Sequence, residues 1–201
     1  MDTDRRFSEY SLFTPPEPLA SRPPWEWSVR EARKHYEWFV AGIPERLDEL
    51  RSVVNSSDPM AAKLLDLTPG SLRPLGQWME RTVETRPGER SNGAPPVDLP
   101  EGLREHGLSE VFTTESLSLC VDCGIYLGEV LCARFARVRW VLCEEPRGDL
   151  SFHEPVLTGF GRRSLDPIRE TVGTVRAMVR GDRGPDGLER VYRLWAGRVT
   201  R

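Results

Sequence analysis

Residues 114–135, TESLSLCVDCGIYLGEVLCARF, constrain the fold of this chain more than any other stretch. Leu117, Cys120, Val121, Gly124, Leu127, Gly128, Leu131 and Phe135 recur at helical spacing, and Ile125, Tyr126, Val130 and Cys132 widen that face until little polar surface remains. A helix that is apolar nearly all round has to be enclosed by other elements. The chain has 201 residues, enough to bury about two-thirds of its unfolded surface, so the enclosing shell can come from one domain.

The shell starts with an amphipathic helix. Ser28 and Glu31 form the S-x-x-E capping box, preceded by Trp27 at the staple position. Val29, Ala32, Tyr36, Val40, Ile43, Leu47, Leu50 and Val54 follow at steps of three and four, which predicts one apolar stripe. Pro44 lacks an N–H and crowds the carbonyl of Val40, so a kink or break is expected at residues 40–44. The run Asn55-Ser56-Ser57-Asp58-Pro59 is expected to end the helix. A second helix is predicted to begin at Thr68-Pro69, with Leu72, Leu75 and Met79 inward and Trp78 beside them. After the apolar helix, residues 139–143 and 155–160 read as a short strand pair. Helices capped by Asp166 and starting near Asp186 close the chain. The expectation is an α+β fold: a mainly helical single domain over residues 25–201 with a small antiparallel β-sheet. Residues 1–24, with five prolines, read as an extended arm, and residues 86–107 as a long loop.

Composition narrows the function classes. Formal charge is −3, so no basic field is available to gather nucleic acid or anionic lipid. The N-terminus holds no run of signal-peptide length, and no stretch is expected to reach the roughly 20 apolar residues of a membrane span. A cytoplasmic location follows as the expectation, with Cys120, Cys123, Cys132 and Cys143 as reduced thiols. Cys120-x-x-Cys123 lies within a helical apolar pattern and not on a turn where four sulfurs could converge, so core packing is preferred over a metal or redox role. No metal and no cofactor is expected.

Asp122 and Glu129 are the open question of the apolar helix. Seven residues apart, they lie on one face about 10 Å apart along the axis, too far to share a proton or metal unaided. Neither should be buried unpaired, and Arg46, Arg73 and Arg139 are candidate partners, making ion pairing the first reading. A ligand site around Asp122, Tyr126, Glu129 and Arg46 is the second. Gly124 and Gly128 suggest close approach of a neighbouring element, and the lone Gly159-Phe160-Gly161 lacks the context of a dinucleotide loop. His153, beside Glu154 in a polar loop, is a candidate general base. However, the histidines are isolated, and no nucleophile elbow or phosphate loop accompanies them. Trp38 falls off the apolar stripe, which suggests an interface anchor.

The segments W-S-V-R-E-A-R-K-H-Y-E-W-F-V-A-G-I-P-E-R-L at 27–47, S-L-R-P-L-G-Q-W at 71–78, D-C-G-I-Y-L-G-E at 122–129, Trp140 and P-V-L-T-G-F at 155–160 resemble a group of uncharacterised bacterial, actinobacterial-like proteins. There, E-A-x-x-Y-x-x-W-F, S-L-x-x-L-x-x-W and D-x-G-I-Y-x-G-E motifs occur in the same order. The resemblance spans roughly residues 25–160, weakly to 198, and leaves the arm outside. It brings no established activity, but small proteins of this style resemble immunity proteins paired with toxins. The expectation is therefore a non-enzymatic protein-binding protein, immunity- or antitoxin-like, whose partner is another protein such as a toxin. The alternatives are an enzyme or small-ligand binder at the Asp122 group, and a structural subunit of a larger assembly.

Overall fold

The apolar segment occupies the centre of the fold in a computed structural model, which describes residues 10–11, 13–84 and 112–199. The expected loop at 86–107 and the first nine residues of the arm lie outside the described residues. In chain order the elements are α1 (Val29–Ser57), α2 (Pro59–Lys63), α3 (Leu72–Thr82), α4 (Thr114–Arg134), β1 (Arg139–Leu142), β2 (Pro155–Phe160), β3 (Arg163–Leu165), α5 (Pro167–Val179) and α6 (Gly187–Ala196). The fold is α+β, mainly helical, with one small antiparallel sheet.

Thr113 caps α4 by accepting from the Ser116 N–H, and from Ser116 to Leu131 the helix is buried except at Glu129. With 21 residues and mean hydropathy 1.5 in its most apolar window, α4 has the length and composition of a membrane span, contrary to the expectation that no segment would. Most of that window, 83%, is covered by the rest of the fold. The two glycines allow the closest contacts. A Cβ on Gly124 would lie 2.6 Å from the Cα of Ile168 at the start of α5, and one on Gly128 would collide with the Trp140 ring.

α1 carries the expected capping box: Ser28 accepts from the Glu31 N–H and the Glu31 carboxylate from the Ser28 N–H. It ends at Ser57, within the expected run, with the Ser56 and Ser57 hydroxyls bonded back to the carbonyls of Ser52 and Val53. It departs from expectation in two ways. It runs unbroken through Pro44, because Pro44 and Val40 both face water, and the carbonyl that loses its donor can be hydrated. Finally, its buried arc includes His35, Phe39 and Arg46, whereas Val29 (49% exposed) and Val40 (37%) lie outside it. Spacing alone could not separate these two arcs in the N-terminal half. Asp58, read as part of a terminating run, caps the short α2 through the Ala61 N–H.

The sheet has three strands, order β1-β2-β3, one more than expected. β1 pairs with β2 from Arg139↔Thr158 to Leu142↔Pro155. β3 is too short and too charged to announce itself, and it returns along β2 after a turn at Gly161 (φ +74°). Between Leu157 and Phe160 the register slips at Gly159, whose φ of +111° suits glycine. The described part of the arm is not a free extended tail. It has single 3-10 turns at Leu19–Ser21 and Pro24–Glu26, and Tyr10, Leu19, Pro24 and Trp27 are buried.

Candidate functional site

Arg46 and Asp122 meet as expected, in the core where α1 crosses α4. The Arg46 Nε donates to Asp122 Oδ1 at 2.8 Å and Nη2 to Oδ2 at 2.5 Å, a bidentate pair with Asp122 wholly buried and Arg46 only 7% exposed. The Tyr10 hydroxyl from the arm donates to the same carboxylate. Burial pushes the Asp122 carboxyl up to about 6 against the pull of Arg46 and Tyr10, so it is an anion at neutral pH. Burial first, and then the Asp122 charge, raise the Tyr10 phenol and keep it a donor. Arg46 has further acceptors: Glu49 Oε2 at 2.7 Å and the Ser11 carbonyl at 3.0 Å.

The other expected site residues stand apart from this centre. The Tyr126 hydroxyl donates to Ser71 Oγ at 2.7 Å and accepts from the Leu67 N–H at 3.0 Å, thereby fixing the turn before α3. Glu129, half-buried, accepts from the Trp140 indole at 2.7 Å and ties α4 to β1. Of the other partners suggested, Arg73 pairs with Glu189 and Arg139 is exposed. The four residues are therefore engaged separately: Tyr126 and Glu129 spend their polar atoms on neighbours in the fold. Trp38 is not left exposed as an anchor, because the arm's Phe13 lies against it with ring centroids 4.7 Å apart. His153 is not an open general base either. Its ring is buried and stacked on Phe152, with Nδ1 3.0 Å from the Pro24 carbonyl, and its backbone sits at φ +69°. The "polar" loop hides this because Phe152 and His153 turn inward together.

All four cysteines are free thiols. Burial pushes each one up, Cys132 to about 12, so none is a ready nucleophile. Among the described residues no group of three His, Cys, Asp or Glu side chains converges as metal ligands do.

Three features were not read from the sequence. Tyr10, Ser11 and Glu49 complete the Arg46 centre, but the prolines of the arm pointed to solvent. His35 lies between the rings of Trp27 and Trp38, at 4.7 and 5.6 Å, with Nδ1 lacking a partner, and burial lowers it to about 4. An open cleft of about 720 Å³ also runs between residues 148–151 and α5, with Asp166, Arg169, Gly173 and Arg183 along it and Trp195 at its side. Ser151 donates to Asp166 at 3.0 Å, and Arg169 Nη2 donates to the Leu150 carbonyl at 2.6 Å, which anchors the loop to α5. The helical spacing of Glu170, Gly173, Thr174 and Ala177 was the available signal, but nothing in it specified what lay opposite.

No family model matches the chain, and neither a curated protein nor a solved structure does.

Proposed function

We propose that this chain is a non-enzymatic binding protein of the immunity or antitoxin kind, which occupies a surface of a partner protein. The observation that carries the reading is the junction between arm and α1. Trp25 is 44% exposed and Val29 49%, large apolar groups held out from a segment that is fixed from below. Trp27 is buried with its indole bonded to the Arg22 carbonyl, Arg22 pairs with Glu31, and Pro24 meets His153. Exposed apolar groups on a preformed support bind with little loss of conformational entropy. The distribution of chemistry supports the same reading, since Asp122, Arg46, Tyr126, Glu129 and His153 are all engaged within the fold.

The test is affinity capture from the native host with a tagged full chain and a Trp25→Asp/Val29→Asp variant in parallel. A stoichiometric protein retained by the first and lost by the second, with unchanged circular dichroism, is expected. If the wild-type chain retains none, the reading fails.

A second reading, a small-ligand binder, is favoured by the 720 Å³ cleft, whose volume falls in the range of about 300–1,000 Å³ usual for ligand sites. Its location is α5 and not the Asp122 group. Gly173→Phe, which projects into open space above the helix, should abolish any ligand-induced thermal shift found in a metabolite screen.

A further inference from the structure

Tyr10, Ser11 and Phe13 belong to no helix or strand, yet the fold holds them by contacts of the kind that read a bound peptide. The first described backbone-to-backbone bond of the arm is internal to it, from the Leu19 N–H to the Pro16 carbonyl. Before that point, side chains of α1 and α4 do the holding. Glu49 Oε1 accepts the Ser11 N–H at 2.9 Å and Arg46 Nη2 donates to the Ser11 carbonyl at 3.0 Å. Both backbone groups of one residue are thus taken by two charged side chains a helical turn apart. The Tyr10 hydroxyl reaches the buried Asp122. Phe13 packs on Trp38 and meets Phe39 edge-on at 5.7 Å, and the Arg46 guanidinium lies 5.4 and 5.6 Å from the Tyr10 and Phe13 rings.

Such an arrangement recognises backbone with charge and side chains with notches, as peptide-binding surfaces do. The receiving groups stand on α1 and α4, helices of 29 and 21 residues, so their backbone positions are set by elements other than the arm. The prolines at 15, 16 and 18 cannot donate to a ladder, which leaves this stretch without a strand's means of attachment.

We propose that Arg46, Glu49 and Asp122, with the Trp38–Phe39 notch, form a recognition groove for an extended peptide segment bearing a tyrosine and, three residues later, an aromatic ring. The arm is its resident occupant, and a partner protein's segment of the same chemistry displaces it. The proposal deepens the binding-protein reading and rests on it. A tethered arm competes at an effective concentration of order mM, so a displacing partner needs contacts beyond the groove, and the exposed Trp25 and Val29 supply them.

The groove can be tested without a partner in hand, using a synthetic peptide of residues 7–16 of this chain, so its failure is distinguishable from failure of the capture experiment. The protein is the full chain carrying Tyr10→Ala and Phe13→Ala, which disables the arm and leaves the groove. Titration by calorimetry and tryptophan fluorescence should show saturable 1:1 binding. Affinity should fall roughly tenfold or more when the peptide carries Tyr10→Phe, or when the protein also carries Asp122→Asn. The wild-type chain should bind more weakly than the double variant, because its own arm competes. No binding to a folded double variant overturns the proposal. Native-state hydrogen exchange on the wild-type chain covers the case of a double variant that does not fold. The Ser11 amide exchanging much faster than those of α4 supports a detachable arm, whereas exchange only through global unfolding makes the arm core and overturns the proposal.

Discussion

Arg46 is what allows Asp122 to stay charged inside the core, and the two substitutions that break this pair are not equivalent. Arg46→Leu removes the bidentate donor and leaves a buried carboxylate with the Tyr10 hydroxyl. A loss of about 3–5 kcal/mol in urea-unfolding stability is expected, the usual cost of stranding a buried charge. Glu129→Gln keeps an acceptor for the Trp140 indole at a half-buried position, so a loss of no more than about 1 kcal/mol is expected in the same assay. If the two losses were equal, the assignment of Asp122 as the buried partner and Glu129 as the peripheral one would be wrong. At this scale the sequence was partly legible. A carboxylate in an apolar helix demands a cation, and Arg46 was among three candidates. Tyr10 and Ser11 were not readable, because a proline-rich arm gives no periodicity from which burial can be inferred. Nor was His153, since a loop pattern of charges conceals one pair of residues turning inward.

Helices were legible where caps and periodicity agreed, as at Ser28, Asp166 and the apolar α4. They were not where tertiary surroundings overrode a local signal. Pro44 reads as a breaker, but the helix survives it because the affected turn faces water. The same lesson applies to glycines that look alike in sequence. Gly124 and Gly173 both lie inside helices, yet a Cβ on the first meets Ile168 Cα and the Pro167 carbonyl, whereas a Cβ on the second meets nothing within 4 Å. Gly124→Ala should therefore push α5 off α4 and destabilise by about 1–3 kcal/mol, the range for overpacking against a backbone that cannot yield. Gly173→Ala should stabilise by about 0.5–1 kcal/mol, since alanine loses less conformational entropy in an exposed helix interior. Thermal unfolding of both variants checks the signs, and a common sign would refute the packing of α4 against α5 described here.

At the scale of the molecule, buried groups whose titrations oppose one another set how stability varies with pH. His35 gains its proton near 6.5 when the chain is unfolded but only near 4 when folded, because no partner compensates its burial. Over that interval the unfolded chain holds more protons, so stability is lost as pH falls from 6.5 to 4, by up to about 3 kcal/mol at 1.36 kcal/mol per pH unit. Asp122 and Glu154 act in the other direction. Burial raises Asp122 from 3.8 to about 6, and raises Glu154 from 4.5 to about 8 with the nearby Asp166 adding to the effect. For both, the folded chain holds more protons across the interval, so stability falls as pH rises through it. One rising slope is set against two falling ones: between pH 4.5 and 6 the two carboxyls outweigh His35, from 6 to 6.5 His35 and Glu154 cancel, and above 6.5 Glu154 acts without a counterweight. The wild-type chain should therefore be most stable near pH 4.5 and lose melting temperature toward pH 8. Glu154→Gln should remove that decline, because His35 and Asp122 then oppose one another one for one. His35→Phe, which keeps a flat ring between Trp27 and Trp38, should instead remove the counterweight, so that the decline becomes steeper below pH 6.5 and is unchanged above it. Melting curves of the three proteins at half-unit pH steps decide between these shapes. An unchanged alkaline limb in Glu154→Gln would show that the carboxyl beside Asp166 is not what the fold keeps protonated.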